Sequence, residues 1–363
     1  MTEQTVKPWL VPFKGIELDS IGQLSQYVNL PADYLLHAGP PYGGVSEIPQ
    51  PVLNAAAQVL IVDGTTESFD HALYLIRSSH FKLKAAQSFG VVTPLAQVVS
   101  AHSWVFKVSG EQEVAYAPLV ESAPPAVRFG SSSLASRDTL RALKSTAIEL
   151  KHCLPPGGLP IAPLIAAGLK GGDDCHAVTA ATHTAFLKSL KQSPGSLLTH
   201  YGFVLPIIMA ASAVALRRTG TIRAIGCNGV NIGWQSATQP IWHHQKADIP
   251  LGETFSTETT SVLRAVGDSA VIDFAGLGAQ ALVWSPQMLR IWQDYLPHMT
   301  PHERSRLIDP KTGLVCIRPI MLHNTAPRIH LAMVDASGAG NILGRGVVEV
   351  APALFSDCEP RSS

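Results

Sequence analysis

Proline and glycine cut this chain into short pieces, and nothing else in the sequence restricts its fold as much. The 363 residues include 29 Gly and 27 Pro. Neither a helix nor a central strand can run through Gly39-Pro40-Pro41 or Pro155-Pro156-Gly157-Gly158, because proline fixes φ and has no N–H to donate. Ser193-Pro194-Gly195 reads as a third stop. Between these stops, strand-like and helix-like runs follow one another, which is the signature of an α/β protein.

The runs can be placed by their apolar spacing. Ile16–Val28 has apolar residues near helical spacing, and Leu35–Pro41 reads as a strand end opening into a rigid loop. Val59–Val62 reads as a buried strand ending at Asp63-Gly64, and Thr66–Ser78 as the helix after it. Gly90–Val99 and Trp104–Val108 read as strands. The composition turns to Pro, Ser and Gly over Glu121–Ser133, where a boundary is expected. Three helices follow: Ser136–Lys151, Ile161–Leu169, and one opening at Gly171-Gly172-Asp173-Asp174 and reaching about Lys191. Thr221–Ile225, Ala270–Phe274, Val315–Pro319 and Ile329–Val334 are the later strand candidates. The expected organisation is two mixed α/β domains, 1–130 and 192–363, with a small three-helix domain, 131–191, between them.

Composition excludes several classes of function. With 46% hydrophobic and 15% charged residues, the chain can bury enough apolar surface to offset the entropy of ordering. Lys+Arg 27 against Asp+Glu 27 gives no field of one sign, which argues against nucleic-acid or polybasic membrane binding. A low-charge surface tolerates contact with other subunits, so an oligomer or hetero-complex is expected. The longest apolar run, Phe203–Leu216, is shorter than the ~20 residues of a spanning helix and is interrupted by Pro206. Met1–Lys14 lacks a hydrophobic signal core, so a cytoplasmic protein is expected. The five cysteines (Cys153, Cys175, Cys227, Cys316 and Cys358) are odd in number and widely spaced, without CxxC. Neither a disulfide framework nor a structural zinc knot is expected, and no cofactor or metal is implied.

Three polar clusters are candidates for chemistry. Gly171-Gly172-Asp173-Asp174-Cys175-His176 stands at an expected helix start. An Asp there caps the free N–H groups. Alternatively the cluster gathers a base, a carboxylate and a thiol at a helix end, which attracts anions and lowers a thiol pKa. His183, seven residues after His176, would share its face. No zinc motif such as HExxH is present. The second cluster, Cys227-Asn228-Gly229-Val230-Asn231-Ile232-Gly233, favours a tight hairpin turn, while Asn228 and Asn231 offer amides suited to an amide substrate. In the third, Gly267-Asp268-Ser269-Ala270 is followed by Asp273 and Gly276-Leu277-Gly278. On a strand, Asp268 and Asp273 would point to opposite faces. Gly338–Gly344 matches a dinucleotide-type glycine spacing, but too few residues follow for the strand and acidic residue such a unit needs, so it reads as a turn between strands.

These segments, in this order, resemble the YlbE/YahG-like family, which includes relatives of oxamate carbamoyltransferase large subunits. The matching pieces are Leu35-Leu36-His37-Ala38-Gly39-Pro40-Pro41, Arg128-Phe129-Gly130, and Gly172–His176 with Thr179-Ala180-Ala181-Thr182. The later ones are Asn228-Gly229-Val230 with Gly233, and Gly267–Ala270 with Gly276–Gly278. The resemblance spans about Leu30 to Phe355. Other members carry Glu at the position of Asp174, Arg at that of Cys227, a Glu-Thr pair near Asp273-Phe274 and an Asn near Pro206.

The resemblance implies two α/β domains around a helical one, separately encoded partner subunits, and carbamoyl exchange between carbamoyl phosphate and oxamate. For that chemistry the expected catalytic residues are His176 as proton acceptor, with Asp174 and Cys175. Arg128 is the expected fixed positive charge, and Asn228 and Asp268 would orient the amide. Asn231, Ser269, Gly276, Gly278 and His37 complete the expected substrate-binding set. An amide or ureido hydrolase and a non-catalytic subunit are the alternatives.

Overall fold

The computed structural model describes residues 3–120, 123–192, 200–255, 261–296 and 303–358. The expected stop at Ser193-Pro194-Gly195 lies outside them. Helices and sheets are mixed, and the class is α/β. One sheet has the spatial order Glu113–Pro118, Trp104–Gly110, Glu17–Gln23, Leu159–Pro160. A second runs Val266–Gly267, Ile222–Asn228, Asn231–Ser236, His243–Lys246. A third sets Ile342–Glu349 between Leu251–Thr254 and Arg328–Val334. All these pairs are antiparallel, whereas Tyr34–His37 and Lys82–Ala85 pair in parallel.

The helix Leu205–Thr219 is the hub. It packs on Trp104–Gly110 and Glu113–Pro118 on one side, and on Ile222–Asn228 and the short helix Ala270–Phe274 on the other. Covered this way, it can be apolar almost all round. Pro206 does not interrupt it, because a proline in the first turn removes an N–H that has no helical partner anyway. With the 3₁₀ turn before it, Tyr201–Thr219 is a helical segment long and apolar enough to cross a membrane by length and composition, yet it is 72% buried inside the fold. The main apolar cluster includes Phe13, Phe106, Leu150, Ile165, Val214, Phe274 and Phe355. A second cluster surrounds the helix Gln50–Val62.

Several local expectations are corrected. Ile16–Val28 is not a helix: Glu17–Gln23 is a strand followed by a 3₁₀ turn. A register shift between Leu18 and Ser20 lets Leu18 and Ile21, three apart, both face the core, which mimics helical spacing. Val59–Val62 is the last turn of the helix Gln50–Val62, and Ala270–Phe274 is a wholly buried helix. In both, burial on every side erases the polar positions by which helix and strand are told apart. Gly90–Val99 forms only isolated bridges at Val91 and Val99, and Val315–Pro319 forms one bridge at Val315 before the helix Ile317–His323. The strand Tyr34–His37, the helices Phe69–Arg77, Leu134–Cys153 and Ile161–Lys170, the Asn228–Asn231 hairpin and the glycine turn before Ile342–Glu349 lie where the sequence put them.

Candidate active site

The third expected helix begins later than its glycines suggest. It runs Ala180–Ser189, and 171–179 is a loop. Asp173 still caps that helix, but from the loop: its carboxylate accepts Ala181 N–H at 3.2 Å, Thr182 N–H at 2.7 Å and Thr182 Oγ1–H at 2.7 Å. The helix end is thus filled by the chain's own anion, so the expected anion attraction there does not hold. Burial raises the Asp173 pKa, and the Thr182 and Ala181 bonds oppose it.

Cys175 sits at φ +63, a left-handed backbone rarely adopted outside Gly and Asn. Its thiol is buried against Ile165 O and Thr182 Oγ1. Burial pushes the thiol pKa up, opposite to the expected helix-end activation. Cys175 is a packing residue here, not an activated nucleophile. His176 lies in the loop, so it shares no helix face with His183.

Two histidine–carboxylate pairs meet beside this loop. His176 Nδ1 lies 2.9 Å from Asp273 Oδ2, and His330 Nδ1 lies 2.9 Å from Asp174 Oδ2. All four residues are buried. Asp174 Oδ1 also accepts His176 N–H at 3.0 Å and Val178 N–H at 2.9 Å, and Asp273 Oδ1 accepts Ala279 N–H at 2.9 Å. The imidazoles stand 5.8 Å apart, with Trp292 5.2 Å from the His330 ring. One ligating atom from each of His176, Asp273 and His330 lies within 4.8 Å of the others.

Gly278 closes the group: its N–H reaches Asp174 O at 2.8 Å, and its φ is +53. A Cβ there would come 2.3 Å from Asp273 Oδ1 and 3.1 Å from His176 Cβ, so only glycine fits. Burial works to raise the Asp174 pKa, but the His330 ring and the two backbone bonds outweigh it and hold the carboxyl below its ordinary value. Burial likewise works to lower the His176 pKa, but the Asp273 charge and hydrogen bond raise it above the ordinary histidine value. A carboxylate only accepts, so each ring carries its proton on Nδ1, and its Nε2 is the free lone pair when the ring is neutral.

The other expected residues lie in separate places. Asp268 stands just before the N-cap of the helix Ala270–Phe274, whereas Asp273 lies within the helix, next to its last residue. Asp268 is buried and accepts from Gly39 N at 2.8 Å, Gln87 Nε2 at 2.7 Å and Thr93 N at 2.9 Å. Burial pushes its carboxyl up to about 7 in spite of those donors. It ties three loops together, and Ser269 follows it as the N-cap position. Gly39 has φ +72 and lies against the Cys227–Asn228 backbone, where a Cβ would sit 2.4 Å from Cys227 C.

Asn228 spends its amide on the fold: Nδ2 donates to Pro40 O, and Oδ1 accepts from Val230 and Asn231 N–H. Asn231 begins the next strand. His37 is buried against Tyr42, and burial lowers its pKa to about 4. Arg128 is buried, with its guanidinium 4.8 Å from the Phe129 ring, and its charge contributes to lowering the pKa of His200, after burial. Thr179 Oγ1 bonds Tyr201 O at 2.9 Å, which joins the His176 loop to the segment near Arg128. Gly276 faces the Gly313 carbonyl. A surface cavity of about 420 Å³, lined in part by Asp63, Gln97, His102 and Lys144, holds none of these residues.

Sequence reading did not single out His330, and it took Asp273 for a strand residue. A histidine inside the apolar run Ile329–Val334 is a usable signal, because a buried imidazole needs a partner.

A family model described as oxamate carbamoyltransferase subunit AllG matches residues 81–269, just over half of the chain. The match includes Arg128, Asp174, His176, Asn228 and Asp268, while Asp273 and His330 lie beyond it. No curated protein matches. Among solved structures, the chain is similar to a conserved protein of unknown function from Enterococcus faecalis V583, with a TM-score of 0.86 and 19% identity, covering 98% of this chain and 96% of that one. That likeness shows a shared fold.

Proposed function

The chain belongs to the family of oxamate carbamoyltransferase subunit AllG, and from that premise we propose that it works with companion subunits in carbamoyl transfer to a small amide acid of the oxamate type. The observation that carries the proposal is the Asp273-oriented His176 ring beside the Gly278 turn, inside a family whose named reaction needs a base.

The acceptor's amide nitrogen attacks the carbamoyl carbon of carbamoyl phosphate. The N–C bond forms, the C–O bond to phosphate breaks with its electron pair, and the amide proton goes to His176 Nε2. Asp273 fixes the tautomer that leaves Nε2 free and steadies the imidazolium that results. Asp174 and His330 hold the loop that carries His176. The capped helix end favours a phosphate position away from Asp173, with Arg128 as the candidate cation.

The test uses the chain in complex with its companion subunits, supplied with carbamoyl phosphate and oxamate. Phosphate release and carbamoylated product are both followed. H176N should lower turnover ~10²–10⁴-fold. An unchanged rate removes His176 as the base, and phosphate release without carbamoylated product removes the transferase reading.

A further inference from the structure

We propose that His330, His176 and Asp273 form a binding site for a divalent transition-metal ion of the zinc class. The first observation is an orphan. His330 Nε2 is buried, the residue is 1% exposed, and the atom has no hydrogen-bond partner among the described residues. A buried polar atom without a partner costs about 1–3 kcal/mol, so a native interior rarely keeps one without use.

The second observation is orientation. His330 Nδ1 lies 2.9 Å from the buried carboxylate of Asp174, which is not one of the three ligands. This is the outer arrangement that metal-ligating histidines use, since it fixes the tautomer and makes Nε2 more basic. The third is charge. Two buried carboxylates, Asp174 and Asp273, stand beside two imidazoles, with no Lys or Arg of the described residues among their hydrogen-bond and ion-pair partners. With neutral rings the group carries two negative charges in the interior, which a dication cancels.

Two nitrogens and a carboxylate oxygen suit zinc and its neighbours. Magnesium and calcium prefer all-oxygen sets. Donors already within 4.8 Å of one another need only close towards the ~3.3 Å spacing around a tetrahedral ion with bonds of ~2.0–2.1 Å. An ion held there takes the His176 lone pair, so metal occupancy and proton abstraction by His176 exclude one another. Zinc therefore acts as an inhibitor of that base. Metal binding itself does not depend on the transferase reading, and it is measured without substrate.

The experiment titrates chelator-treated protein with Zn²⁺ by calorimetry and with Co²⁺ by visible absorption. Histidines protected by Zn²⁺ from diethyl pyrocarbonate are mapped by mass spectrometry. The chain has 14 His, so mapping separates this site from surface binding. The expected result is one ion per chain, intense tetrahedral Co²⁺ bands, and protection of His176 and His330 together. H330N should weaken binding at least 100-fold, and D174N, which removes only the outer carboxylate, 10–100-fold. Should H330N not fold, the wild-type Co²⁺ spectrum and the protection map decide. Weak octahedral bands, or protection confined to other histidines, overturn the proposal.

Discussion

Replacing Asp273 by Asn removes a charge and little volume, and the structure fixes how the cost depends on pH. Asp273 Oδ2 lies 2.9 Å from His176 Nδ1, and Oδ1 accepts from Ala279 N–H. The Asn oxygen can keep the Ala279 bond. Its NH2 then faces His176 Nδ1, which must accept and so must give up its proton. The Asp273 charge and hydrogen bond raise the His176 pKa against the opposing pull of burial. A raised histidine contributes stability that is fully present below the unfolded value of about 6.5 and is lost as pH rises through the folded value.

Below about pH 6.5, D273N strands a buried imidazolium, and breaking such a pair costs about 3–5 kcal/mol. As pH rises the ring turns neutral and re-pairs with the amide. The loss is then one charge-assisted bond exchanged for a neutral one, about 1–2 kcal/mol. Urea unfolding of chelator-treated wild type and D273N at pH 6 and pH 9 reads the difference. A penalty equal at both pH values, or larger at pH 9, refutes the assigned pairing.

Other expectations follow from the same contacts. Gly278→Ala should cost about 3 kcal/mol or more and lower the His176 pKa, because the added Cβ displaces Asp273 Oδ1 and the left-handed φ strains alanine; chemical denaturation and histidine NMR check both effects, and a cost below about 1 kcal/mol would contradict the close contact. Thiol labelling of native protein should modify half-buried Cys316 and spare Cys153, Cys175 and Cys227 until unfolding, as mapped by mass spectrometry; fast modification of Cys175 would restore it as a nucleophile. Asp268→Asn should destabilise by about 2–4 kcal/mol, since its NH2 faces donors from Gly39, Gln87 or Thr93, and thermal unfolding reads the loss.

The legible parts of the sequence are those whose local chemistry decides the conformation. The Leu140, Leu143, Ala147 and Leu150 stripe gives a helix, Asn228-Gly229 gives a hairpin, and Gly338–Gly340 gives a turn. The illegible parts are those where tertiary burial decides. Ala270–Phe274 is five buried residues, too short and too uniformly covered to display a period. Read as a strand, it sent Asp273 away from the site. As a helix, it delivers Asp273 to His176 while Asp268 stays at the far end, binding loops.

The Asp173–His176 corner was visible as a dense polar cluster, and the capping expected of an Asp is what Asp173 does. Its partner His330 comes from a strand far down the chain, and no local spacing announces such a pairing. Arg128, Asn228 and His37 stand out in the sequence by side-chain chemistry alone, and each is held by packing or backbone contacts particular to this fold.

The most direct test is whether a small amide acid meets the His176 imidazole. Protein labelled with ¹⁵N-histidine, chelator-treated and assembled with its companion subunits, is titrated with oxamate while the ring nitrogens are observed. The account predicts saturable shifts of the His176 ring nitrogens with oxamate concentration, lost in D273N. Unmoved ring signals under saturating oxamate would contradict it.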